Sequence, residues 1–395
     1  MSAEMIKLGR LIVDGFQNGI YKPSELYGEG APIVRINDYD NDGSLNDGDL
    51  LRVKLDNSEI ERFRLEPKDI LVNRVNSLTH LGKSCLINTL DEATVYESNM
   101  MRLRIGDDSA VIPEYIACIL QTSKARNYFR RVAKPAVAQA SINQDDVKSL
   151  QIPVYDKLTQ LEIVNTITTW SGGIQKVEKL IASKNRRYQY LLSHLVNDVA
   201  YCRGHVRDFT SEVSIRNRSN ESERVLSVTN TNGFVLPEDQ FERRVASANL
   251  SNYKIVEHGQ YAYNPSRINV GSIARLDDWD EGVLSPMYVV FKLNDEKVNS
   301  DFFLHWLSSY EARQRIKRSA QGSVRETVSF ADLGSIPFPL PDKDRQASVA
   351  EVLNAAKREM DLLKQLAKAY REQKRGLMQR LQSGEWCVKV GKEVA

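Results

Sequence analysis

The chain has 395 residues, 42% of them hydrophobic and 27% charged, a composition that excludes a collagen-like fibre and wholesale disorder. Its length exceeds that of one ordinary hydrophobic core and predicts two or three domains. Lysine and arginine total 54 against 52 for aspartate and glutamate, so the net charge of +2 does not by itself indicate a nucleic-acid-binding protein. Any such role must depend on local basic patches.

Cysteine and histidine usage gives no sign of a disulfide framework or a metal site. Cys85, Cys118, Cys202 and Cys387 lie far apart with no C-x-x-C pair, and the five histidines include no i, i+4 pair. The first residues, MSAEMIKLGRLIVDG, lack the apolar core of a signal peptide, and no run approaches the roughly 18 apolar residues of a membrane span. We therefore expect a cytoplasmic protein without a metal site.

Residues 1–155 predict a first domain that is mainly strand. Short runs such as APIVRIND, LLRVKL and DILVNRV carry β-branched or alternating apolar residues and are separated by turn clusters such as DYDNDGSLNDGD. One or two helices are predicted over residues 112–131, where the apolar residues have amphipathic spacing. The pattern indicates an α+β module.

Two polar strips and a basic helix end make this domain a candidate DNA reader. One strip, NRVNS, ends a predicted strand, and the loop PAVAQASINQ follows the basic end of the helix. Arginine and lysine can bind phosphates, whereas asparagine, glutamine and arginine can read base edges. A solvated helix end and ordinary turns are the plain alternatives. The candidate DNA contacts are Asn73, Arg74, Asn76, Ser77, Lys83, Arg126, Arg130, Arg131, Lys134, Gln139, Ser141 and Asn143.

Residues 156–200 predict a long helix with a coiled-coil seam. Its apolar residues keep a 4-3 spacing over about five heptads, and Asp156 is the expected N-cap. Gly172 and Gly173 predict a local bend, because glycine weakens a helix interior. The seam residues are Ile163, Ile167, Trp170, Ile174, Val177, Ile181, Tyr188, Leu191 and Leu195.

Residues 201–341 predict a second domain of the same kind. Runs such as ERVLSVTN and MYVVFKL indicate strands, and a helix with a basic end is predicted over residues 300–318. The strip NPSRIN and the loop GSVRETVSF take the places of the two polar strips of the first domain. The candidate DNA contacts here are Asn264, Ser266, Arg267, Asn269, Arg313, Arg315, Lys317, Arg318, Arg325 and Thr327.

Residues 342–384 predict a second long helix, followed by a tail over residues 385–395. Asp342 is the expected N-cap, and Gly384 is a plausible stop. The second helix repeats the spacing of the first at an offset of 186. Its seam residues are Val349, Leu353, Met360, Leu363, Tyr370, Leu377 and Leu381.

The whole chain is thus an internal repeat. KSLQIPVYDKLTQ (148–160) and GSIPFPLPDKDRQ (334–346) share Ser, Pro, Asp, Lys and Gln, and the stretches 111–134 and 298–321 also align. A helix of about 40 residues cannot bury its seam alone, so we predict that the two long helices pair antiparallel within the chain. A helical linker and a coiled coil between two chains are the alternatives.

These features together resemble the specificity subunit of type I restriction-modification systems. The resemblance rests on the doubled boundary IPVYDKLTQ and FPLPDKDRQ, the strand and turn NRVNSLTHLGK, the loop SINQDDVKSL and the end QKRGLMQRLQSGEW. It covers essentially the full length, and its specificity comes from the order of these pieces, which occurs twice. The first loop, AVAQASI, lacks the glycine-serine start frequent in the family, and GSVRETV lacks a glutamine.

The resemblance implies two target-recognition domains, each of which reads one half of an interrupted double-stranded DNA sequence. It also implies that the long helices form an antiparallel coiled coil that fixes the gap between the half-sites. Such subunits recruit two modification subunits, which bind S-adenosylmethionine and methylate adenine, and restriction subunits that use ATP. On this interpretation the chain itself has no catalytic residues and binds no cofactor.

Two other classes of function compete with this interpretation. A DNA-modifying enzyme would need its own chemistry, but Gly82-Lys83-Ser84 lacks the first glycine of a phosphate loop, since Ser77 stands there. Asn264-Pro265-Ser266-Arg267 lacks the aromatic ring that would stack on a flipped adenine. A coiled-coil assembly scaffold is the second alternative, and it predicts association that is insensitive to salt and has no DNA preference.

Overall fold

The computed structural model of the chain describes residues 4–46, 48–88, 90–106, 109–135, 139–236, 249–320 and 327–383, and of residues 14, 15 and 381–383 the backbone alone. It contains both helices and antiparallel sheets, which confirms the predicted α+β class. Within these residues, no helix is long and apolar enough to cross a membrane. The predictions for Arg325, Gly384 and the tail 385–395 concern residues outside the described part of the chain, and the side chain of Leu381 also lies outside it.

The chain forms two compact units, which we call unit 1 (residues 1–178 and 365–395) and unit 2 (residues 179–364). Each unit contains one half of each long helix, whereas the sequence predicts two globular domains with the whole helices as separate segments. The difference arises because each half of a long helix packs on the globular core next to it, so that this half and the core form one compact unit. The borders at residues 155, 200, 341 and 384 stay predictions.

Both predicted long helices are present, and we number them α5 (Lys157–Val196) and α9 (Lys343–Ser383). Each begins at its predicted cap. The Asp156 carboxylate accepts a hydrogen bond from the Thr159 N–H at 2.9 Å, and Asp342 accepts one from the Arg345 N–H at 2.8 Å. The helical hydrogen-bonding pattern of α5 continues through the predicted bend at residues 172–173.

Unit 1 has strands β1–β12 and helices α1–α4. The strands are Glu4–Lys7, Ile12–Asn18, Tyr27–Val34, Arg52–Val53, Ile70–Asn73, Val75–Asn76, Ser84–Leu86, Val95–Tyr96, Met100–Ile105, Lys134–Pro135, Ala140–Ser141 and Gln151–Val154. The helices are Asn57–Phe63, Pro113–Leu120, Ser123–Val132 and Gln144–Lys148.

The central sheet of unit 1 has the antiparallel order β2-β9-β5-β7. Smaller sheets have the orders β4-β3-β8, β10-β11-β6 and β1-β12. Tyr115 of α2 and Phe129 of α3 are fully buried in the same core as Val72 and Leu103 of the sheet. Burial of large apolar side chains of this kind is the main favourable term in folding.

Unit 2 has strands β13–β22 and helices α6–α8. The strands are Arg203–His205, Thr210–Val213, Ser227–Thr229, Gly233–Val235, Lys254–Glu257, Tyr261–Tyr263, Ile273–Arg275, Glu281–Leu284, Val289–Leu293 and Pro337–Pro339. The helices are Ser300–Ser308, Tyr310–Ala320 and Phe330–Gly334.

The central sheet of unit 2, with the antiparallel order β14-β21-β18-β19, repeats that of unit 1. In chain order, both sheets run first, fourth, second, third. The ribbon β13-β22 corresponds to β1-β12, and α6, α7 and α8 correspond to α2, α3 and α4. The internal repeat in the sequence is therefore a repeat of topology.

Within unit 1, the start of α5 lies beside the end of α9. Ile163 and Ile167 share the globular core with Met378, and the rings of Trp170 and Tyr370 meet edge to face with centroids 5.5 Å apart. Farther along α5, the Glu178 carboxylate accepts a hydrogen bond from Arg371. The contacts thus lie near Met378 at the start of α5 and near Tyr370 and Arg371 farther along it, so the two segments run antiparallel.

Within unit 2, the end of α5 lies beside the start of α9 in the same sense. Tyr188, Leu192 and Val196 share a core with Val349 and Leu353, and Lys184 forms a 2.6 Å ion pair with Glu359. Both helices therefore also contribute to the core of the globular part of this unit.

Burial along the predicted seam follows the 4-3 pattern from the start of each helix through its middle and departs from it at the carboxyl-terminal end. Leu192 and Met378, at the same offset of 186, are buried although the seam assigned Leu191 and Leu377. Both helix ends pack on a globular core as well as on a helix, which turns the buried face by one residue. The predicted seam residues that are buried are Ile163, Ile167, Ile174, Tyr188, Val349, Leu353 and Met360, and those that are half-buried are Trp170, Val177, Ile181, Leu191, Leu195, Leu363, Tyr370 and Leu377.

A buried hydrogen-bonded network joins the globular part of unit 2 to its helices. His305, 3% exposed, bonds the Tyr188 hydroxyl at 3.0 Å through Nδ1 and the Asn354 side-chain oxygen at 2.9 Å through Nε2. Asn354 in turn donates to Asp301 at 2.7 Å, and Asp301 pairs with Arg275 at 2.7 Å.

We expect the free energy of unfolding to fall in acid because of His305. Burial is the largest cause that holds its pKa below the usual 6.5, with nearby Lys357 acting in the same direction. The folded chain thus keeps the ring neutral while the unfolded chain binds a proton, so the contribution is full above pH 6.5 and is lost as pH falls through the folded pKa. The slope should reach at most about 1.4 kcal/mol per pH unit. Denaturant unfolding from pH 7.5 to 5 measures it, and His305→Gln should flatten the curve relative to wild type.

Candidate nucleic-acid interface

The two polar strips of the first domain, far apart in the sequence, meet in one small sheet of unit 1. In this sheet, Asn76 of β6 pairs with Ala140 of β11, and Ser141 pairs with Val75. The third strand, β10, begins at Lys134. We call β6, β10 and β11 together the first polar sheet. It places candidate base-reading side chains next to candidate phosphate contacts.

A turn at the end of β6 extends this surface. The Ser77 hydroxyl lies 2.9 Å from that of Thr79 and 3.0 Å from Nδ1 of His80, while Leu78 is 50% exposed at the tip. Sequence reasoning did not select Leu78, Thr79 or His80, although they follow the NRVNS strip directly. Gly82 closes the turn with a φ of +69°, and a side chain there would meet the Phe129 ring.

The basic end of α3 lies against this turn. Arg130 donates through Nε to the Leu78 carbonyl at 3.2 Å, and the side chains of Arg130, Arg131 and Lys134 are exposed. Gln139 is exposed, whereas Arg74, Asn76, Ser77 and Ser141 are half-buried. Unit 1 thus has exposed positive charge at the end of α3, next to the polar turn that follows β6.

Three candidate contacts of unit 1 lie inside the fold. The Asn73 side chain is fully buried and accepts a hydrogen bond from the Tyr39 hydroxyl. Lys83 donates to the Tyr39 carbonyl at 2.6 Å, and burial lowers the pKa of its ammonium group. Arg126 is 8% exposed, donates to the Asn41 carbonyl at 3.3 Å, and burial lowers its pKa to about 10. These groups support the loop that begins at Ile36.

Asn143, a fourth candidate, is exposed but serves as the N-cap of α4. Its side-chain oxygen accepts a hydrogen bond from the Asp146 N–H at 2.9 Å, and the Asp146 carboxylate accepts one from the Asn143 N–H at 2.8 Å. This arrangement forms a capping box. A side chain used in this way has fewer groups free for a base.

In unit 2, the described end of the second polar strip, which begins at Thr327, meets the first strip at the corresponding place. The NPSRIN strip follows β18, and the Pro265 carbonyl accepts a hydrogen bond from the Val328 N–H at 3.1 Å. Thr327, half-buried, is therefore next to the strip. Ser266 and Arg267 are exposed, whereas Asn264 and Asn269 are half-buried.

The basic helix α7 packs on the turn that ends this strip, Ile268–Val270. Arg313, Lys317 and Arg318 are exposed on it. Arg315 is held by Glu311, with its Nη2 and Nε at 2.6 and 2.9 Å from the Glu311 carboxylate. Since Glu311 neutralises one guanidinium, the three other cations carry most of the positive charge of this patch.

No family model matches the chain, whereas curated proteins and solved structures are similar to it. A protein of Methanocaldococcus jannaschii assigned as the MjaX type I restriction enzyme specificity subunit is 25% identical over 96% of this chain and 92% of its own length. The StySPI specificity subunit of Salmonella potsdam is 26% identical over 62% of this chain and 51% of the relative. The EcoKI specificity subunit of Escherichia coli K12 is 26% identical over 47% of this chain and 40% of the relative.

Solved structures share the fold. The type I restriction-modification S subunit of M. genitalium superposes with a TM-score of 0.60 over 96% of this chain and 99% of its own, at 15% identity. A structure described in terms of the complex assembly and conformational transition of the type I restriction-modification system gives a TM-score of 0.58 over 98% of both chains, at 12% identity. The predicted resemblance is confirmed: this chain is similar, in sequence and in fold, to the specificity subunits of type I restriction-modification systems.

Proposed function

We propose that the chain is the DNA-recognition subunit of a type I restriction-modification complex and that each unit reads one half of a bipartite target. The observation that carries the proposal is the repeated site. In unit 1, two polar strips from distant parts of the sequence meet beside the exposed basic end of α3, and in unit 2 the described end of the second strip meets the NPSRIN strip beside the corresponding helix, α7. Phosphate contacts position such a surface, and polar side chains on it read base edges.

The paired halves of α5 and α9 support the second part of the proposal, a ruler between half-sites. Each unit contains an antiparallel segment of the helix pair that is continuous with its own core. A helix of 40 residues spans about 60 Å, which matches a target read at two separated positions. On this proposal the two helices form one antiparallel coiled coil that sets the gap.

Catalysis belongs to partner subunits on this proposal. Two modification subunits would supply S-adenosylmethionine and methylate adenine, and restriction subunits would supply ATP-dependent cleavage. Relatives named as specificity subunits and a matching fold from a type I complex support this assignment. On this proposal the complex works on DNA in the cytoplasm.

The test is DNA protection by the complex assembled with its modification subunits. We expect protection of one split sequence, two half-sites with a constant gap, and affinity that falls steeply as salt rises. A scaffold would instead assemble with the same partners, show no preferred sequence, and associate independently of salt. Methylation profiling of the host genome with and without this gene gives the same answer in cells, because the split motif should lose its methylation.

A further inference from the structure

Each long helix carries a fully buried glutamine four residues after its N-cap. Gln160 and Gln346 both have 0% exposure, and they occupy the same place in the two copies at the offset of 186. A buried primary amide is costly unless both its acceptor and its two donors find partners. All of these partners are present in both units.

In unit 1, Gln160 joins α5 to the globular part. Its Oε1 accepts from the Ile112 N–H at 2.9 Å, and its Nε2 donates to the carbonyls of Ala110 at 2.8 Å and Tyr155 at 2.7 Å. Ile112 is the N-cap residue of α2 and has no side-chain oxygen to cap that helix. Gln160 therefore ties the start of α2 to α5 and to the end of β12.

Gln346 makes the same three bonds in unit 2. Its Oε1 accepts from the Asn299 N–H at 2.7 Å, and its Nε2 donates to the carbonyls of Lys297 at 3.2 Å and Pro341 at 2.8 Å. Asn299 is the N-cap residue of α6. In both copies, one side-chain amide thus bonds the same three backbone positions. We call each set of three bonds a glutamine joint, because its repetition indicates a specific connection between the long helix and the globular part.

The joint lies at the base of the path that leads to the reading surface. Helix α2 starts at the residue that Gln160 holds, α3 follows it, and the end of α3 contacts the turn of the first polar sheet through Arg130. A small tilt at the start of α2 therefore moves the far end of this path by a larger distance.

We propose that Gln160 and Gln346 are positioning residues that set the angle of each recognition domain on its spacer helix and so hold the half-site gap to one value. This inference rests on the proposed function and assigns the gap to specific side chains. The glutamines touch neither DNA nor each other's unit in this role. They act through the backbone of α2 and α6.

The two units differ in the other side chains that join the globular part to the long helices. Unit 2 adds the network of Tyr188, His305 and Asn354 described above. In unit 1, Cys118, Thr168 and Lys374 occupy the positions that correspond to His305, Asn354 and Tyr188. Lys374 lies 3.8 Å from the Asp42 carboxylate, and Cys118 and Thr168 border a cleft of about 450 Å³. The orientation of the first domain thus depends more on its glutamine than that of the second does.

The test uses the assembled complex with Gln160→Met or Gln346→Met, which keep side-chain length and remove the amide. Binding is measured on a set of targets that keep both half-sites and vary the gap by single base pairs. For Gln160→Met, the preference for the correct gap over its neighbours should fall about tenfold, and for Gln346→Met only about threefold, with base preferences within the half-sites unchanged.

Asp156→Ala is the matched control, because it removes the N-cap of the same helix and leaves the glutamine joint in place. It should keep the wild-type gap profile. A folded Gln160→Met complex with the wild-type profile would overturn the joint alone, whereas a wild-type complex with no gap preference would overturn the proposed function and the joint with it. If Gln160→Met does not assemble, Gln160→Glu keeps the acceptor for Ile112, loses donor capacity, and is judged by the same two outcomes.

Discussion

Replacement of Arg130, Arg131 and Lys134 together by alanine is expected to lower the affinity of the assembled complex for its target by about 500-fold at 0.1 M salt. The reason is electrostatic. Arg130 bonds the turn beside the first polar sheet, Lys134 begins its strand β10, and Arg131 is exposed at the same end of α3. Each phosphate contact that releases counterions contributes roughly eightfold at this salt concentration. Folding should be little affected, since exposed side chains contribute little to the core.

Salt titration distinguishes this effect from general damage to the protein. The slope of log affinity against log salt should become shallower by about 2.7, and the order of preference among half-site sequences should stay the same. Lys179→Ala, Arg186→Ala and Arg187→Ala, combined in one chain, remove equal charge from exposed positions of α5. If that variant loses as much affinity as the first, the patch beside the polar sheet has no special role.

The long helices and their starts could be predicted because their signals are local. A 4-3 apolar spacing identifies a helix within a few turns, and an aspartate just before it can accept a hydrogen bond from an N–H of the first turn. Asp156 and Asp342 cap their helices in this way, as predicted. The shift of burial to Leu192 and Met378 could not be predicted, because it depends on globular cores that pack on the helix ends.

The reading surface was only partly accessible from sequence. The candidate strips were found by composition, but their meeting through β6 and β11 joins residues 76 and 140, and such long-range pairing has no local signature. Burial of Lys83 could not be predicted either, because its ammonium group donates hydrogen bonds to the carbonyls of Ile36 and Tyr39, which are distant in the sequence. A basic or amide side chain in a strip is therefore a candidate DNA contact, and its burial decides whether it stabilises the fold or can reach DNA.

Insertion of one heptad into each long helix is expected to lengthen the preferred gap by about three base pairs, since seven helical residues add about 10.5 Å and DNA rises about 3.4 Å per base pair. Duplication of residues 174–180 in α5 and of residues 360–366 in α9 adds matching segments at the offset of 186. A whole heptad keeps the seam facing its partner, so the helix pair should form as before. Affinity for the original target should fall toward non-specific binding, about a thousandfold.

Selection from a DNA library whose gap varies over a full helical turn measures the shift, and the half-site sequences serve as the internal reference. They should be unchanged, because the polar strips lie outside the altered segments. A duplication in α5 alone is the control: it leaves seven residues without a partner in α9, so we expect lower stability instead of a new, single gap. A double insertion that assembles and still selects the original gap contradicts the ruler, since the spacing would then be set by something other than the length of the helix pair.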